Sequence, residues 1–264
     1  MDPFVSKVLL SLIIGIVWVV ISTQIAERVS GKIGGLLIGM PSTAVISLLF
    51  VGLTQGTQAA IIASTIVPFS SGVYCFYYIS YLLLSKKGFW IGFVSSLAVW
   101  FLFGFFSTIY SPDSIAISIL VWLLLVPASV YWVVKNVRID HSQIPKEIKS
   151  NPLWIKALLT GIVISLIVVI SKIAGPRWGG VFATFPAMVV STMLITVKSG
   201  GVEFTRLIAK NVLISTTTTI SLFAIFCYYM YPLIGVVFGT VLAYLLLILV
   251  SVPFYFLVVD KLKE

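Results

Sequence analysis

Nine apolar runs of membrane-spanning length follow one another along this chain, each bounded by charges or turn residues. No other feature constrains the fold so tightly. A helix of about 20 apolar residues matches the thickness of a bilayer core. In lipid the backbone finds no water to bond, so a spanning segment must be a helix or part of a closed barrel. These runs are continuous rather than alternating, which predicts helices. They fall at about Val5–Ala26, Gly34–Thr54, Gln58–Ser85, Phe89–Tyr110, Ile115–Val134, Pro152–Ala174, Gly179–Val197, Glu203–Tyr231 and Leu233–Val259. Charged residues are 9% of the 264, where a soluble domain has about a quarter. The expectation is a single all-α, polytopic membrane domain, residues 1–264.

The few charges orient it. With the N-terminus outside, 14 of the 17 Lys and Arg residues fall on the inner face, and only Lys7, Lys172 and Arg177 fall outside. Cytoplasmic loops carry the excess of basic residues, so nine spans running N-out and C-in are predicted. The same bias accounts for the net charge of +9 without nucleic acid. Anionic membrane lipid is the expected partner of that charge. Oligomeric state is left open. Cys75 and Cys227 lie within apolar runs and read as buried free thiols. The start, Met1-Asp2-Pro3-Phe4, lacks a basic leader and a small-residue cleavage site, so the first helix reads as retained.

The sequence also repeats. Residues 34–56 align without a gap on 179–201 at a constant offset of 145. Gly34/Gly179, Gly35/Gly180, Pro41/Pro186, Val45/Val190, Leu49/Leu194 and Gly56/Gly201 are identical. The first span matches the sixth in the same way, with Lys7/Lys156, Ile13/Ile162 and Ser22/Ser171 among the identities. Because the first span enters from outside and the sixth from inside, the halves are antiparallel. The expected plan is 4+1+4: repeat A at 1–110, a bridging helix and cytoplasmic connector at 111–151, and repeat B at 152–264. Inverted repeats with broken helices are a recurrent plan of secondary transporters, whose sites lie near the midplane between the repeats.

The repeated motif supplies the breaks. Gly34, Gly35 and Gly39 weaken helix, and Pro41 lacks an N–H and disfavours helix for the residue before it. An extended entry over Gly34–Met40 and a half-helix from Ser42 are predicted. Span 7 is expected to do likewise, with Gly179, Gly180, Thr184 and Pro186 ahead of a half-helix at Ala187–Val197. Half-helix N-termini inside the membrane would aim N–H groups and the positive dipole end into a cavity. The competing reading is close packing. Gly35-x-x-x-Gly39, echoed by Gly180-x-x-x-Thr184, is a small-residue face of the kind that lets helices touch.

Other candidates are polar residues within or beside spans. Asn211, Ser215, Thr216 and Thr217 sit near the middle of span 8. They either line a polar path or bond back to their own helix. Glu203, Arg206 and Lys210 share one helix face at its inner end, as an anchored terminus or as a gate. Arg177 breaks the charge rule on the outer face and is a candidate for meeting an acidic solute. No catalytic nucleophile–base set, metal-ligand spacing or cofactor motif is present, so no enzyme, metal or cofactor is expected.

The run Gly179-Gly180-Val181-Phe182-Ala183-Thr184-Phe185-Pro186-Ala187 resembles the signature of small, uncharacterised prokaryotic membrane proteins about half this length. The resemblance implies a fused duplication in a prokaryotic cytoplasmic membrane, and no activity. Three functions remain from the residues. The first is a transporter or permease for a small polar solute, with anions slightly favoured by the inward helix starts. The second is an ion or solute channel, and the third a non-transporting scaffold or lipid-handling protein.

Overall fold

The computed structural model describes residues 2–28, 40–145 and 153–254. Among these there is no strand; the chain is helical throughout, with short connections. Six helical stretches are long and apolar enough to cross a membrane, and Ser42–Gln55 is a shorter apolar helix. This is an all-α membrane protein.

The helices are α1 (Pro3–Arg28), α2 (Ser42–Gln55), α3 (Thr57–Leu84), α4 (Phe89–Tyr110), α5 (Ile115–Asn136), α6 (Leu153–Ala174) and α7 (Pro176–Ala183). A further run, Ala187–Phe254, contains two residues with non-helical dihedrals, Gly201 and Gly235. These divide it into α8 (187–200), α9 (202–234) and α10 (236–254). At Gly201 φ is 74° and ψ −174°, a backbone conformation that L side chains rarely adopt. Gly56, between α2 and α3, takes the same kind of turn, with φ 92° and ψ 167°.

α3 lies at the centre. It is the most buried of the long helices and packs against α2, α4, α5, α7 and the run Ala187–Phe254. The apolar core has two parts. One joins Ala44, Leu48 and Val51 of α2 to Ala60 and Ala63 of α3, Ile164 and Val168 of α6, and Phe223 and Leu247. The other gathers Tyr74, Tyr77, Tyr78 and Tyr81 of α3 with Trp100 of α4, Trp122 of α5 and Met193 of α8. Outward faces carry bare apolar side chains such as Ile13, Phe101, Leu124, Leu166 and Phe238. A soluble surface rarely exposes so much contiguous hydrocarbon, whereas lipid accepts it.

Close approaches use glycine. A Cβ on Gly15 of α1 would stand 2.8 Å from Ile164 of α6, and one on Gly161 of α6 would stand 2.6 Å from Ile16 of α1. α1 and α6 are thus pressed together along a small-residue seam, as membrane helices commonly are. α3, α5 and α9 meet at one carbonyl. Ser71 Oγ and Trp122 Nε1 both donate to Thr217 O, at 2.9 and 3.2 Å.

The second motif departs from the expected extended entry. Gly179 and Gly180 lie inside α7, an eight-residue helix that begins with Pro176 in its first turn. Proline is well suited there, since that N–H has no partner in any case. The glycines allow contact: a Cβ on Gly180 would come within 2.3 Å of the Ala63 carbonyl oxygen on α3, and one on Gly179 within 2.6 Å of Ser171 Oγ. Tertiary packing thus overrides low helix propensity. Gly34, Gly35 and Gly39 lie outside the described residues.

Candidate functional site

The two prolines start their helices in the same way. Ser42 N–H donates to Met40 O at 2.8 Å, and Ala187 N–H donates to Phe185 O at 2.8 Å. Each proline is therefore the centre of a three-residue turn; at Pro41 the dihedrals are −81° and 57°, those of an inverse γ-turn. The first helical hydrogen bonds follow as Val45 N–H to Pro41 O (2.9 Å) and Val190 N–H to Pro186 O (2.7 Å). The two helix starts touch, with Ser42 Oγ 3.7 Å from Met188 Sδ.

Beside them lies a cavity of about 350 Å³. Its wall comprises Thr23 of α1, Met40–Ala44, Tyr74 of α3, Lys156 of α6, the stretch 183–189 with Thr192 and Thr196, and one face of α9. That face is Phe204, Ile208, Val212, Thr216 and Ile220, spaced four residues apart so that all project to one side. Among the described residues the wall is mainly apolar, with scattered hydroxyls and the ammonium group of Lys156.

Of the residues singled out in the sequence, Pro41, Ser42, Thr184, Pro186 and Thr216 stand on this wall. Gly179 and Gly180 serve the α7 contacts instead. Asn211, Ser215 and Thr217 are absent from the wall. Ser215 Oγ donates to Asn211 O at 3.3 Å and Thr217 Oγ1 to Leu213 O, so these hydroxyls bond back along their own helix. Thr23, Tyr74, Lys156, Thr192 and Thr196 are wall residues that the sequence did not single out. The Lys7/Lys156 identity marked that position as repeated, and the i, i+4 stripe on α9 was also readable.

The charged residues form two separate groups. Arg177 bonds to Asp113 in the α4–α5 connection, and its Nη1 donates to Ser111 O at 3.3 Å. It is engaged by the protein rather than aimed into the cavity. At the start of α9, Arg206 Nε lies 3.2 Å from Glu203 Oε1. The other Glu203 oxygen, Oε2, accepts the Asp140 backbone N–H at 3.1 Å, and Lys210 Nζ donates to Val137 O at 3.0 Å. The shared face of 203, 206 and 210 therefore ties the connector after α5 to α9. Arg206 is fully buried, and its Nη1 and Nη2 have no partner among the described residues. In the connector, hydrogen bonds from Ser142 and then Gln143 hold the Asp140 carboxyl below its usual range. Among the described residues no group of three His, Cys, Asp or Glu is placed to hold a metal ion.

No curated protein and no solved structure matches this chain. Residues 8–111, from within α1 to just past the end of α4, match the family model described as "Protein of unknown function (DUF3147)".

Proposed function

We propose that the chain is a secondary transporter for a small polar solute, working by alternating access between two inverted halves in a prokaryotic cytoplasmic membrane. One observation carries this reading. Two proline-led helix starts, 145 residues apart in sequence, have the same turn and the same first hydrogen bonds, and both face one cavity. Irregular backbone at membrane depth survives only where it is buried in protein or lines a cavity. A symmetric pair of such breaks around one space is the arrangement that inverted-repeat transporters use.

The element order supports nine crossings. α1, α3, α4, α5, α6, α9 and α10 each supply one; the shorter α2 supplies another; α7 with α8 supplies the ninth. α5 is then the bridge between the halves. The family match over 8–111 coincides with the first half, in keeping with a duplicated ancestor. On the charge-based orientation the cavity extends toward the inner side, along α8 to Thr196 and along α9 to Phe204. The Arg177–Asp113 pair lies toward the outer side. Together these support an inward-facing state with its outer side latched.

The test is uptake by proteoliposomes of solutes that stabilise the purified protein. Pro41→Ala combined with Pro186→Ala removes uptake while leaving expression. Full uptake in that double variant refutes the role given to the paired helix starts, absence of uptake by the unaltered protein refutes the transport reading, and flux that never saturates points to a channel.

A further inference from the structure

Resting on the transport reading, we infer a second, outer half of the solute path that is shut in this structure. Its wall is the α3 face formed by Ala59, Ala63, Val67, Ser71 and Cys75, with Ser47 and Val51 of α2. The short helix α7 is the lid over that wall.

A two-fold relation between halves leaves a signature, because a position can touch its own counterpart only at the axis. Three helix pairs carry such contacts. Between α1 and α6 the repeat spacing is 149. There a Cβ on Gly15 would stand 2.8 Å from Ile164, and one on Gly161 would stand 3.0 Å from Leu12 O, each its own counterpart. Beyond the first motif the spacing is 145. Ser42 Oγ lies 3.7 Å from Met188 Sδ, between α2 and α8, and Ser71 Oγ donates to Thr217 O, between α3 and α9. Each of these pairs falls within one residue of the repeat spacing. The joints correspond as well. Gly56 and Gly201 precede α3 and α9, Gly88 and Gly235 precede α4 and α10, and all four have positive φ.

α3 and α9 each begin one residue after their joint, so the spacing of 145 carries into both helices. The cavity stripe on α9, from Phe204 to Ile220, therefore corresponds to the α3 face from Ala59 to Cys75. All five positions on α3 are buried, at 7% exposure or less, whereas four of the five on α9 are partly exposed. Thr192 and Thr196 of α8 stand on the cavity wall, while their counterparts on α2, Ser47 and Val51, are completely enclosed. Two hydroxyl positions match, Ser47 with Thr192 and Ser71 with Thr216, so a solute meets similar chemistry in each half. One wall is open and its mate is shut, as alternation between two equivalent halves requires of any single state.

The cover is α7. A Cβ on Gly180 would collide with the Ala63 carbonyl, and one on Gly179 would come 3.2 Å from Val51 Cγ2 and 2.6 Å from Ser171 Oγ. The two glycines seat α7 directly on α3 and α2. Small residues let helices approach closely without long interlocking side chains, which suits a part that must leave its seat. Both ends of α7 are joints: Gly175, with φ 98°, stands before it, and the turn at Phe185-Pro186-Ala187 follows it. Arg177 ties α7 to Asp113 through an exposed pair, which parts at small cost.

The test is cysteine labelling of the full-length protein carrying Cys75→Ala and Cys227→Ala, in proteoliposomes of known orientation. A membrane-impermeant methanethiosulfonate reagent is applied to one side at a time. A63C and V67C are expected to react from outside, and I208C and V212C from inside. Adding Gly180→Ala sets a methyl group against Ala63 and keeps α7 off its seat. Overpacking of that kind shifts a balance of states on the order of tenfold, so outside labelling of V67C rises and inside labelling of I208C falls by about that factor. Gly179→Ala, whose methyl group meets side chains that can turn, acts in the same direction more weakly and replaces Gly180→Ala if that variant misfolds. Labelling of A63C and V67C from inside, or from neither side, overturns the outer wall. A rise at both faces together overturns the role of α7 as a lid in alternation. If the outer wall fails while the unaltered protein still takes up solute, the transport reading stands without it. If the labelling is as expected and no solute crosses, the outer wall stands and the transport reading falls.

Discussion

Among the described residues two arginine–carboxylate pairs join separate parts of the chain, and they differ in almost everything but chemistry. Arg177–Asp113 is solvent-accessible, with the two side chains 36% and 90% exposed. Arg206–Glu203 is enclosed, at 0% and 18%. An exposed pair gains little, because water screens it and two long side chains must be held still. An enclosed pair is energetically lopsided. It adds little net stability, yet losing one partner strands a charge in a medium that cannot solvate it. The exposed pair can therefore open and close at small cost. The enclosed pair behaves as a fixed joint between α9 and the connector that follows α5.

The largest break in this comparison is Glu203→Gln, which leaves Arg206 without its counter-charge. A loss of about 3–5 kcal/mol is expected, seen as a steep fall in melting temperature in detergent. Adding Arg206→Met to that variant should recover most of the loss, since an apolar pair of similar volume removes the stranded charge. No recovery would mean that Arg206 matters for something other than balancing Glu203. Arg177→Ala should cost about 0–1 kcal/mol in the same assay. Its effect should appear instead as greater access of outside thiol reagents to a cysteine placed at Thr184. The smallest effect concerns Asp140, whose backbone N–H serves Glu203 and whose side chain caps the turn at His141–Gln143. Its carboxyl is held below the usual range, so its contribution is present above the unfolded value of about 3.9 and is lost as pH falls through the depressed one. Asp140→Asn should flatten that acid-side slope in melting temperature and leave neutral pH nearly unchanged.

Much of the fold was legible because lipid leaves the backbone few choices. Apolar length located the helices, and Pro41 and Pro186 marked two helix starts, where a missing N–H costs no helical bond; Pro68 and Pro127 lie inside helices, so proline alone does not end one. The hydroxyl run on span 8 left two readings open, a polar lining and back-bonding along its own helix. Successive helical residues turn by about 100°, so of Ser215, Thr216 and Thr217 only Thr216 reaches the cavity. Gly179 and Gly180 looked like helix breakers and proved to be a contact surface, because the Ala63 carbonyl on a distant helix decides their role. Thr23 and Lys156 could not be singled out for a similar reason. Their place on the wall depends on how α1 and α6 rotate against neighbours far away in sequence.

Gly56 and Gly201 carry one further consequence. A Cβ at either position would have no neighbour within 4 Å. Space does not demand glycine there; handedness does. Each is an achiral joint set into a chain of L-residues, and nothing that packs around it enters the requirement. Such a joint tolerates wholesale change in the lipid-facing side chains about it, while a substitution as small as a methyl group on the joint itself would bend two helices out of line.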